Sequence, residues 1–135
     1  MKVSKHITLH EATTSNTALR LKIDNTPDAE TLARMKLTAN SVFEPLREWY
    51  GKPIRVNSFY RSPALNKAVK GSKTSQHVTG EAIDISGASK AENKKIFDWL
   101  CKNVIFDQCI NEYDFTWIHI SYRKEGNRKQ VLKIG

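Results

Sequence analysis

From Leu32 to Tyr50 the apolar residues Leu32, Met35, Ala39, Val42, Phe43, Leu46, Trp49 and Tyr50 recur with the helical period, and short segments follow. Such a stripe has to be buried against something. The helical pattern opens at Asp28, Pro45 is predicted to kink or split it, and Gly51-Lys52-Pro53 ends it. Strands are predicted at Ile54–Ser58, Glu81–Ser86, Gln108–Tyr113, Trp117–Tyr122 and Gln130–Ile134. A tight turn around Asp114 and Phe115 should join the third and fourth of these. Ser62-Pro63 and Ser89 read as starts of two further helices, and residues 70–80 as a polar loop. Residues 1–27 look irregular, apart from a capping box between Thr8 and Glu11. The fold class expected is α+β: one small domain over residues 1–135, with N-terminal helices packed on a mostly antiparallel sheet.

At 135 residues and 39% hydrophobic content, the chain can bury one continuous core. No apolar run approaches the roughly 18 residues of a membrane span, and none near the start resembles a Sec-type signal peptide. Lys and Arg number 22 against 14 Asp and Glu, a net charge of +8 that favours anionic partners. No aromatic-interleaved basic stripe accompanies that charge, so nucleic acid is not the expected partner. Cys101 and Cys109 are too few for a disulfide framework and sit in apolar surroundings, as buried thiols do.

Two strand positions are out of character. Asp84 lies between Ile83 and Ile85, and alternation puts it on the face opposite them. A buried carboxylate there needs a cation or a cluster of donors. His119 occupies the same kind of position in Trp117-Ile118-His119-Ile120-Ser121, and His77 lies in the loop seven residues before Asp84. Two imidazoles and a carboxylate on a rigid frame form a three-ligand zinc set with a fourth position left for water. Singly, each of these residues has an ordinary structural reading; the set is what suggests a metal.

Metal-assisted hydrolysis also needs a general base. Glu112 would pair across from Trp117 and share the face of His119, and Asp114 is the alternative, nearer in sequence but in the turn. Arg61, between a strand and a helix, could hold a substrate carboxylate or a developing oxyanion.

The pattern Ser75-x-His77-x-x-Gly80-x-Ala82-x-Asp84, followed by Trp117-Ile118-His119, resembles the zinc signature of the zinc D-Ala-D-Ala carboxypeptidase family. That family includes D,D-dipeptidases and phage endolysins, and the chain is most similar to its short single-domain members. Further likeness lies at Lys5–Thr8, Asp24–Pro27, Ser58–Asn66 and Phe106-Asp107-Gln108. The resemblance implies zinc on His77, Asp84 and His119, Arg61 as a substrate or transition-state group, and an acidic base just before His119. Many relatives carry that acid three residues before the histidine, where this chain has Thr116, so Glu112 and Asp114 remain the two candidates. Ser75 is expected to support the site by hydrogen bonding.

The expected protein is a zinc peptidase of bacterial peptidoglycan stem peptides, a carboxypeptidase or an endopeptidase. It would be monomeric and would act on the wall after release by a route other than Sec export, as a phage or prophage lysin does. The alternative is a non-catalytic wall-binding or structural module on the same fold.

Overall fold

The computed structural model describes all 135 residues. A short hairpin, β1 (Lys2–Ser4) with β2 (Ile7–Thr8), leads into α1 (Leu9–Thr13), whose start carries the reciprocal Thr8–Glu11 capping box. After α2 (Asn16–Leu21), α3 (Ala29–Thr38) starts on the Asp28 cap. It then widens into a π-helical turn over Ala39–Phe43 before α4 (Glu44–Tyr50). Pro45 explains the widening: it has no N–H to return to the preceding turn, so the Glu44 N–H closes a longer loop onto the Ala39 carbonyl. Gly51, at φ +70°, ends α4 in the left-handed region.

The five-stranded sheet runs β3 (Arg55–Ser58), β4 (Ala82–Ser86), β6 (Trp117–Ser121), β5 (Gln108–Glu112), β7 (Gln130–Ile134). Three of its pairings are antiparallel, and β7 runs parallel to β5, so the sheet is mixed. Between β3 and β4 lies α5 (Pro63–Ala68), capped by Ser62 as expected; between β4 and β5 lies α6 (Lys90–Asn103), capped by Ser89. Ile83, Ile85, Ile118 and Ile120 turn one sheet face into a fully buried core with Met35, Phe43, Leu46, Ile96 and Leu100. The strand period of two then forces Asp84, His119 and Glu112 onto the opposite face.

The link between β5 and β6 is longer than the expected two-residue turn. Tyr113, Asp114 and Phe115 all adopt left-handed backbone (φ +52°, +53° and +59°), which is sterically unfavourable for residues with a Cβ. The Phe115 N–H donates to Asn111 Oδ1 (2.6 Å) and the Thr116 hydroxyl to the Tyr113 carbonyl (2.6 Å), holding the turn. The register is nevertheless the one a two-residue turn would give, with Glu112 opposite Trp117.

Helix α3 also positions the loop that feeds β4. Arg34 Nε donates to the Thr79 carbonyl (2.7 Å) and Thr38 Oγ1 to the Gly80 carbonyl (3.1 Å). Gly80 has φ +78°, and a Cβ there would lie 2.6 Å from Met35 Cγ and 3.0 Å from the Thr31 carbonyl oxygen. Gly80→Ala should therefore cost about 3 kcal/mol in urea unfolding, through strain and overpacking together. A cost below about 1 kcal/mol would show that α3 yields instead.

Candidate metal centre

His77, Asp84 and His119 are brought together from a loop and two adjacent strands, with donor atoms all within 4.8 Å of one another. Asp84 and His119 are direct cross-strand partners. His119 Nδ1 is 2.9 Å from Asp84 Oδ1, and His77 Nε2 is 3.2 Å from Asp84 Oδ2. Donors around a tetrahedral zinc lie roughly 3.3 Å apart, so these spacings match.

His77 supplies the most direct indication of a cation. Its Nδ1 is 2.7 Å from the Phe59 carbonyl, which can only accept, so Nδ1 carries the proton and Nε2 presents a lone pair. That Nε2 is buried and makes no hydrogen bond, although it faces the Asp84 carboxylate. Two acceptors held this close repel unless a proton or a metal ion lies between them, and the poor hydrogen-bond geometry at Nε2 favours the metal. The donor set therefore fits a divalent ion of the zinc type. With no metal bound, burial pushes the Asp84 carboxyl up, but the two imidazoles in their protonated form more than offset this and hold it well below the usual carboxylate range. Ser75 Oγ accepts the His77 N–H (3.2 Å), fixing the loop from which the imidazole projects.

The sheet face around these donors forms the floor of one groove, lined also by Arg61, Gln76, Ile110, Glu112, Trp117 and Leu132. Glu112 accepts from Trp117 Nε1 (3.0 Å), and its carboxyl is raised above the ordinary value by burial and then by the Asp84 charge. Asp114 points away. It lies outside the groove on the turn, 82% exposed, with Oδ2 3.9 Å from Lys90 Nζ. Arg61 Nη2 is 3.7 Å from Asp84 Oδ2, and its other nitrogens donate to Ser58 Oγ and Asn66 Oδ1, both at 3.3 Å. Of the six expected site residues, five share the groove and Asp114 does not.

Two further groove residues, Arg123 and Arg128, gather on Asp107, a buried acid that ends the apolar run Val104-Ile105-Phe106 and lies in the Phe106-Asp107-Gln108 likeness noted above. Its fully buried carboxylate accepts a fork from Arg128, with Nε at 2.9 Å and Nη2 at 2.7 Å, together with the Arg128 N–H and Gln76 Nε2 (both 3.0 Å). Arg123 Nε lies 3.2 Å from the same carboxylate. The Arg128 hydrogen bonds hold Asp107 down to about 2 despite its burial. The two cysteines are free, Cys109 buried and Cys101 half-buried.

A two-imidazole, one-carboxylate cluster with a carboxylic acid in the same groove, on the open face of a small α+β sheet, is the donor set that mononuclear metallohydrolases use. The family described as Peptidase M15 matches residues 5–121, and the chain belongs to that family of metal-dependent peptidases. No curated protein gives a significant match.

Two outcomes follow from this geometry. Wild-type protein should retain about one zinc per chain after dialysis and gain thermal stability from it, whereas His119→Ala should do neither. A His119→Ala protein that kept its zinc would displace His119 from the ligand set. For Asp107 the folded pKa is depressed, so its stabilisation is complete above the unfolded value near 4 and disappears as pH falls through about 2. Denaturant titrations should show wild type losing about 2 kcal/mol more than Asp107→Asn across that window. Equal acid sensitivity in the two proteins would contradict the ion pairing.

Proposed function

We propose that the protein is a zinc peptidase of bacterial peptidoglycan. Its substrate is the stem peptide, cut at a terminal D-Ala-D-Ala bond, an internal bond or a cross-link. The observation that carries this reading is that Glu112 and the three donors His77, Asp84 and His119 open into one groove. The surplus of basic residues suits an enzyme that works on an anionic wall. Its site of action would be the wall itself, reached after the membrane has been permeabilised.

Bound zinc would supply Lewis acidity, polarising the scissile carbonyl and acidifying a water. The chain's own residues do the rest. Glu112, half-buried and raised in pKa, is placed to take one proton from the attacking water as its oxygen joins the carbonyl carbon. The same carboxyl returns that proton to the leaving nitrogen as the C–N bond breaks. Trp117, by donating to Glu112 Oε2, orients the carboxylate towards the floor of the groove. Arg61, held by Ser58 and Asn66 beside Asp84, offers a fixed positive charge where the oxyanion develops.

Purified peptidoglycan incubated with the zinc-loaded protein should release peptide fragments identifiable by mass spectrometry. Glu112→Gln should keep its zinc and slow turnover by a factor of roughly 10² or more. Near-normal turnover in that variant would remove Glu112 from the role. Zinc binding with no cleavage by the wild-type protein would favour a non-catalytic module instead.

A further inference from the structure

The family match ends at residue 121, but the groove does not. Residues beyond the match return along the sheet edge and furnish one end of it with Arg123, Arg128, Leu132 and Ile134. Asp107 anchors that end. The Lys129 and Gln130 N–H groups donate to the carbonyls of Phe106 (3.0 Å) and Asp107 (2.9 Å), so the backbone there is tied to the strand it covers.

The charges do not balance. One carboxylate faces two guanidinium groups, and Arg128 with Gln76 already fills its acceptor positions. Arg123 adds only the Nε contact, and neither of its terminal nitrogens has a hydrogen-bond partner in the protein. Its side chain is 43% exposed, at the edge of the groove. A guanidinium drawn to Asp107 through Nε by an ion pair, with its two outer nitrogens unpaired, can take a carboxylate bidentately. The other carboxylates in the groove, Asp84 and Glu112, are engaged with His119 and Trp117.

We propose that Arg123, steadied by Asp107 and accompanied by Arg128, binds a free carboxylate of the peptide substrate and so selects which peptides are cut. This rests on the peptidase reading above and adds the chemical class of the substrate: a peptide bearing an unblocked carboxylate away from the scissile bond or at its end. Arg61 lies near the metal donors, whereas Arg123 and Arg128 cluster around Asp107, so the groove carries two separate cationic stations.

Calorimetric binding to the zinc-loaded Glu112→Gln protein tests the idea without relying on turnover. The probes are a stem pentapeptide ending in D-Ala-D-Ala and two monoamides of it, one blocked at the C-terminus and one at the D-glutamate carboxyl. One amide should bind about tenfold more weakly than the free acid, the scale of a charge-assisted hydrogen bond, and its identity reveals which carboxylate is held. Adding Arg123→Gln should abolish that preference, and Arg123→Lys, which keeps the charge and serves if the glutamine variant folds poorly, should retain part of it. Equal binding of all three peptides, or an undiminished preference in Arg123→Gln, would overturn the inference. If wild type cleaves the pentapeptide and both amides at equal rates, the subsite alone is wrong. If it neither cleaves nor binds any of them, the peptidase reading fails and takes the subsite with it.

Discussion

The structure depends on one carboxylate being held where a sheet would not ordinarily hold it. Asp84 sits in the second strand of five, paired to Ser58 on one side and His119 on the other. A buried, unpaired carboxylate there would cost several kcal/mol. The His77 ring above it and the His119 ring beside it turn that liability into a site. Both imidazoles are themselves held, one by the Phe59 carbonyl and one by the sheet register, so the donors are positioned before any ion arrives.

The sheet separates the two tasks by face. Its isoleucines pack with α3, α4 and α6 into a single core, and that core makes the register costly to slip. Because side chains alternate, fixing Ile83 and Ile118 in the core simultaneously fixes Asp84 and His119 out of it. The loop carrying His77 lacks a strand's regularity and is secured by α3 through Arg34 and Thr38, with Gly80 admitting the close approach. Packing thus determines the geometry of the three candidate donors at one remove.

Much of this was legible in advance wherever the determinant was local. The Thr8–Glu11 capping box, the Ser62 and Ser89 caps, and the five strands within a residue at each end all follow from short-range pattern. The disruption by Pro45 was also predictable, although not its form, a π-helical turn in which the Glu44 N–H closes onto the Ala39 carbonyl and keeps the chain helical. The three left-handed residues of the β5–β6 turn were not foreseeable, because only Asp114 has any tolerance for that backbone and Tyr113 and Phe115 have none. Its stabilisation comes from the Asn111 side chain and the Thr116 hydroxyl.

The sequence by itself determined which residues are the candidate metal donors and the sheet face that Asp84 and His119 would occupy, because residue type and a period of two are properties of a few neighbouring positions. Only the tertiary structure decided which acid faces the groove: Glu112 lies on the floor while Asp114, two residues on, is carried out by the turn towards Lys90. It also decided that the final segment runs parallel to β5 and brings Arg123 and Arg128 onto Asp107. Both outcomes depend on where segments distant in sequence come to lie, and burial of the common core settles that rather than any local preference.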